Sequence, residues 1–236
     1  MAKINGIKQE LVVNGLQIGA SITQISRGSV DVNLGENTGL DKGALERIAL
    51  LASGGLEVGC WFDPTGAHLA FQTAAVDDVI ASYLFAGGAG NPAATMVGAQ
   101  ATYNTNRGAD ASLTGTASFQ SSNGEPLRWG KQLTAGLEAL TGAHTTPSVD
   151  SNAATNGGYW VAHCTALTGT DVTVDLEMSS SGGGPFASYG GTSLTFTGVG
   201  AQIVEIPDVT VMDQFVRAAI AGTFTNATVM VGYAHG

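Results

Sequence analysis

From Met96 to Gly124 polar and apolar residues alternate in two limbs, and this stretch organises the front half of the chain. In the first limb Val97, Ala99, Ala101 and Tyr103 are apolar or small, with Gly98, Gln100, Thr102 and Asn104 between them. In the second, Ala111, Leu113, Ala117 and Phe119 are set against Ser112, Thr114, Thr116, Ser118 and Gln120. Strict alternation predicts two strands, each with one face on a core and one face wet. A three-residue turn, Arg107-Gly108-Ala109, keeps both apolar sets on one side. It places Tyr103 opposite Leu113 and Val97 opposite Phe119. The wet side is then a long wall of small, uncharged side chains without Lys or Arg.

Upstream, Leu11, Val13, Leu16, Ile18 and Ile22 are apolar around the turn pair Asn14-Gly15, and Val30, Val32 and Leu34 alternate with Asp31 and Asn33. The polar segment 35–43 reads as an extended surface loop. Residues 45–51 and 56–62 are expected as two strands around Ser53-Gly54-Gly55. A helix is expected over 68–77, then strands over 79–85 and 127–133. From 138 to 157 the pattern dissolves into small, turn-rich residues, which makes this segment a linker between domains 1–137 and 158–236. Beyond it, 160–166 and 172–178 alternate as a hairpin around loop 167–171, pairing Trp160 with Met178, Cys164 with Val174 and His163 with Asp175. Strands over 193–197, 202–206, 215–221 and 227–233 complete a small antiparallel sandwich.

Composition agrees with a mainly β chain: 34 of 236 residues are glycine and only 12% are charged. No run is long and apolar enough for a membrane span, and MAKINGIKQE lacks the apolar core of a secretory signal, so synthesis in a cytosol is expected. Cys60 and Cys164 then read as buried free thiols. The net charge is −10, and past residue 141 Arg217 is the single base, which argues against a nucleic-acid-grasping protein. The histidines His68, His144, His163 and His235 are scattered, and His163 and Cys164 point to opposite faces of a strand, so they cannot chelate together. The glycines 87–90 lack the Lys-Ser/Thr of a phosphate loop, and no nucleophile elbow occurs. No catalysis, metal or cofactor is expected.

The segments follow an order. VNGLQIGASITQISRGSVDV precedes ENTGLDKG; GLEVGCWFD leads into AHLAF; DDVIASYLFAGGAGNPA precedes the hairpin that exits through LTGTASFQSSNGEPLRWGKQL. Over roughly residues 1–135 this series resembles the major tail tube protein of long-tailed (siphovirus) bacteriophages, especially those with actinobacterial hosts. The resemblance implies an N-terminal tail-tube-type β-sandwich with one flanking α-helix, followed by a C-terminal antiparallel β-sandwich carried on the tube exterior. It also implies six-membered rings that stack into a channel for the genome. The partners would be further copies of the chain, the tape measure, tail terminator and tail tip proteins, and double-stranded DNA in transit without specific binding. The location would be the virion tail, assembled in the host cytoplasm. In that frame Glu36, Asn37, Asp41 and Lys42 belong to a loop reaching the next ring. The lumen-facing residues would be Asp31, Gln100, Thr102, Asp110, Ser112, Thr114, Thr116 and Ser118. A wall without bases suits DNA, whose charge density of about one per 1.7 Å would be arrested by cations, while wall acids repel it at short range.

The alternative is a non-catalytic capsid decoration or host- or glycan-binding β-domain protein. Its sugar platform would be Tyr159, Trp160 and Tyr189, although Trp160 sits on the core-patterned face.

Overall fold

A computed structural model describes residues 9–36, 47–73, 78–122, 127–152, 158–190, 193–207 and 212–235. Its strands are β1 (Glu10–Val13), β2 (Leu16–Gln17), β3 (Ile22–Glu36), β4 (Arg47–Trp61), β5 (Val79–Leu84), β6 (Pro92–Arg107), β7 (Leu113–Ser121) and β8 (Arg128–Gln132). The short β9 (Glu138–Leu140), β10 (His144–Thr145) and β11 (Val149–Asp150) follow. Then come β12 (Gly158–Ser179), β13 (Ala187–Ser188), β14 (Leu194–Phe196), β15 (Gly200–Ile206) and β16 (Phe215–His235). With one α-helix, α1 (Ala67–Thr73), the chain is mainly β, as its patterning predicts.

Two compact units divide the chain. A hairpin unit holds residues 22–79 and 96–127, and a ribbon unit holds 1–21, 80–95 and 128–236. This differs from the expected division at 138–157. The supposed linker carries β9, β10 and β11, each paired antiparallel to β16, so its small polar residues edge a sheet. The N-terminal β1–β2 turn and β5 also belong to the ribbon unit.

In the ribbon unit β12 and β16 run antiparallel along their whole lengths, from Gly158↔His235 to Ser179↔Phe215. The hairpin expected around 167–171 does not form, and neither does a break between 221 and 227. Thr168 lies opposite Asn226, and Gly169 opposite Phe224. The two polar stretches that look like turns are each other's partners, with register shifts on either side of Gly169 (φ 152°) taking up the irregularity. Trp160, Val174 and Leu176 of β12 and Val216, Ile220 and Val229 of β16 form one core. From Val172 to Met178 every second residue is buried, the half-buried strand foreseen, whereas 158–164 is buried on both faces.

The hairpin unit is an antiparallel sheet in the order β3-β4-β7-β6. Instead of two strands around Ser53-Gly54-Gly55, β4 runs through unbroken. A Cβ on Gly54 would lie 2.2 Å from the Leu127 backbone nitrogen, so this glycine serves close approach rather than a turn. The long hairpin forms, with a shifted register. Its loop spans residues 108–112, closed by Gly108 N–H donating to the Ser112 carbonyl at 2.7 Å. Tyr103 therefore faces Ala117 rather than Leu113, and Ser122 N–H bonds the carbonyl of Val97 where Phe119 was expected. A bulge between Gln100 and Thr102 inverts the parity below it. Ala99 and Ala101 are exposed, and Gln100 lies opposite buried Phe119.

The helix sits where sequence places it but is described only over Ala67–Thr73. Residues 74–77 lie outside the described residues. Asp63 starts it, its carboxylate accepting from Thr65 N–H and Oγ1 at 3.0 and 2.9 Å. Phe71 then packs on Phe119 and Tyr103, with ring centroids 5.8 and 5.4 Å apart.

Candidate functional site: the polar face of the hairpin sheet

In an antiparallel pair, residues directly opposite each other share a face. The register sets Gln120 beside Gly55, Ser118 beside Glu57, Thr116 beside Gly59 and Thr114 beside Trp61. Across β6 and β7, Thr102 joins Ser118 through a 2.7 Å hydroxyl–hydroxyl bond, and Asn104 pairs with Thr116. Across β3 and β4, Glu57 pairs with Arg27, Gly55 with Ser29 and Ser53 with Asp31. The result is a four-strand face of hydroxyls, amides and glycines that also carries Arg27, Asp31, Glu57 and an exposed Trp61. The opposite face carries Leu56, Val58, Ala117 and Phe119, all buried.

Of the expected lumen residues, the sheet gathers Asp31, Thr102, Thr114, Thr116 and Ser118 on this one face. Asp110 and Ser112 lie instead in the loop at the hairpin tip. There Ser112 donates to the Asp110 carboxylate from N–H at 3.1 Å and Oγ at 2.6 Å, and these bonds hold the carboxyl below its ordinary range. Gln100 is displaced to the packed face by the bulge, and its buried Oε1 has no partner. Among the loop residues expected to reach a neighbour, Glu36 ends β3, while Asn37, Asp41 and Lys42 lie outside the described residues.

Sequence reasoning placed Asp31 on the wall but missed Arg27 and Glu57. Arg27 stands on it, paired through Nη2 to Asp31, 3.9 Å through Nη1 from Glu57, and donating from Nε to Ser29 Oγ at 2.8 Å. The Arg27 and Asp31 side chains are 45% and 48% exposed, so the pair adds only about 0.2–1 kcal/mol to stability. Its consequence is electrostatic: the arginine is held between two carboxylates, and Asp31 is not the free acid that sequence suggested. The signal was Arg27 and Asp31 at an even spacing on one strand.

Two shallow depressions, of about 220 and 230 Å³, mark the face. They open where Gly55 and Gly59 leave no side chain, beside Glu57 and Ser118. Behind the sheet His68 Nδ1 lies 3.0 Å from the Tyr103 hydroxyl, and burial raises the Cys60 thiol and the Tyr103 phenol. Among the described residues no group of three His, Cys, Asp or Glu is placed to hold a metal ion.

In the ribbon unit two of the three residues of the alternative reading are misplaced for it, while Tyr189 is only partly buried against the core. Tyr159 and Trp160 are 3% and 0% exposed, so neither can stack on a sugar. His163 is fully buried and does not meet Asp175, because the hairpin that would join them is absent. Cys60 and Cys164 are both buried free thiols.

No protein-family model matches the chain, and no curated protein matches it. Among solved structures, a chain of the virion of a native gene transfer agent particle has 12% identity to it, with a TM-score of 0.42 over 53% of this chain and 98% of that one. A chain from the tail of an empty gene transfer agent particle, refined with C6 symmetry, gives 9% identity and 0.41 over 52% and 96%. The SPP1 Dit (gp 19.1) protein, a hub adsorption apparatus protein of phages infecting Gram-positive hosts, gives 12% and 0.37 over 95% and 98%. At TM-scores under 0.5 a shared fold does not follow from these likenesses.

Proposed function

We propose that the chain is a structural subunit of a phage-type tail, closing with copies of itself into six-membered rings that stack around a bore. The wet face of the hairpin sheet would line that bore. The order of the front-half segments supports this reading, and so does one observation: a broad polar face whose described cation, Arg27, is held by Asp31 and Glu57.

Edge geometry adds to it. Among the described residues the pairings of β3 run to β4, and those of residues 99–107 of β6 run to β7. Long edges of this kind invite pairing, and sharing them between neighbours around a ring removes them. The family role of the 35–43 loop in reaching the next ring belongs to the same reading.

Negative-stain electron microscopy of the purified full chain at high concentration tests it. Rings or tubes with an open bore are expected. A chain that remains monomeric under tail-like ionic conditions, and is absent from any tail, overturns the reading.

A further inference from the structure

A histidine sealed inside the ribbon unit joins three chain segments by hydrogen bonds. Gly15 N–H donates to His163 Nδ1 at 3.3 Å, His163 Nε2 lies 3.0 Å from Ser82 Oγ, and Ser82 Oγ lies 3.0 Å from Thr95 Oγ1. Because Nδ1 accepts from a backbone amide, the imidazole is neutral with its proton on Nε2, where it donates to Ser82. The Asn14-Gly15 turn is seated without slack. A Cβ on Gly15 would lie 2.5 Å from Gly200 N and 2.7 Å from the Cys164 carbonyl. Asn14 anchors the same turn to β5, with its N–H on the Ile80 carbonyl at 3.0 Å and its Oδ1 accepting from Ile80 N–H at 2.9 Å.

We infer that His163 is an acid-operated latch on this turn: protonation of Nδ1 sets an N–H against the Gly15 N–H, removes the acceptor and lifts Gly15 and β2 from the ribbon. Among the described residues no charged group faces the ring to offset this. Its neighbours are Gly15, Ser82 of β5, Thr95 of β6, and across the ladders Met230 and Ala201, while Cys164 points to the opposite face. Burial agrees with the geometry, lowering the His163 pKa from 6.5 to about 3. The latch is therefore closed above the open-state value. It weakens as pH falls from about 6.5 toward 3, since the open turn binds a proton that the closed one excludes. It stands whatever the chain assembles into.

Amide hydrogen exchange on the full chain tests it, with protection factors for Gly15 and, as a reference in mid-β12, Val174. Between about pH 6.5 and pH 4.5 the Gly15 protection should fall about 50-fold, steepening toward tenfold per pH unit, with Val174 unchanged. The variant His163→Gln keeps an acceptor and a donor but cannot titrate, and its Gly15 protection should be flat with pH. Equal pH dependence in both proteins overturns the latch. So does a wild-type Gly15 that keeps its protection, or one that loses it in step with Val174. Should the variant fail to fold, the wild-type comparison of Gly15 with Val174 decides alone.

Discussion

Gly54 shows how one residue type can mislead and still matter. In the sequence Ser53-Gly54-Gly55 looks like a turn, and in the structure it is the middle of a straight strand. Gly54 N–H donates to Ser121 Oγ at 2.8 Å, and its missing side chain admits the Leu127 backbone. Gly54→Ala must push that backbone away. We expect a loss of about 2–3 kcal/mol, read as a lower denaturant midpoint at unchanged slope. A midpoint unchanged from wild type would mean that the approach is not rigid. Arg27 is the converse case: its charge was visible, but its place on the wall and its two carboxylate partners came from the pairing of β3 with β4. Gln100 shows the limit of alternation, because one bulged residue reverses every face below it.

At the scale of elements, strands and helix were legible as to type, and their ends and joins were not. The Asn14-Gly15 turn occurs where it was read, both residues at positive φ, because that pair favours the two left-handed positions of a tight hairpin. Helix α1 also occurs where it was read, and it covers the packed face through Phe71, which is fully buried. Phe71→Ala should cost about 3–5 kcal/mol in equilibrium unfolding, while a loss under about 1 kcal/mol would show that the helix does not hold the sheet. In contrast, β12 and β16 were each read as two strands. Short polar stretches resemble turns unless a partner lies opposite, and the partner is some 55 residues away at the ribbon's middle, as Gly169 and Phe224 are. Longer separations, 148 and 81 residues, hid the environment of His163, which depends on contacts from Gly15 and Ser82.

For the whole molecule the proposed function turns on the charge that the wet face of the hairpin sheet carries. Thr116→Lys with Ser118→Lys changes exposed or half-exposed positions on the wet face, so folding and assembly should persist. If that face lines a bore, assemblies of the double variant should retain linear double-stranded DNA at low salt. They should release it as salt rises, with a slope of about 0.9 per phosphate contact. Wild-type assemblies should retain none. Equal behaviour of the two would place the face elsewhere than on the path of the DNA. The division into units belongs to this scale as well. The boundary expected at 138–157 came from loss of periodicity, but edge strands of two or three residues are too short to show a period.

By itself the sequence determined the mainly β class, the tight turn at Asn14-Gly15, the helix after Asp63, the alternation that makes one sheet face wet, and the burial of Trp160 and both thiols. Each of these is a local matter, decided by side-chain period, by φ preference or by the cost of exposing apolar surface. Tertiary structure alone decided the register of the long hairpin, the fusion of six expected strands into three, the side on which Gln100 falls, the pairing of Arg27 with Asp31 and Glu57, and the sealing of His163. These depend on which distant backbone lies alongside, and a strand's pattern carries no address for its partner.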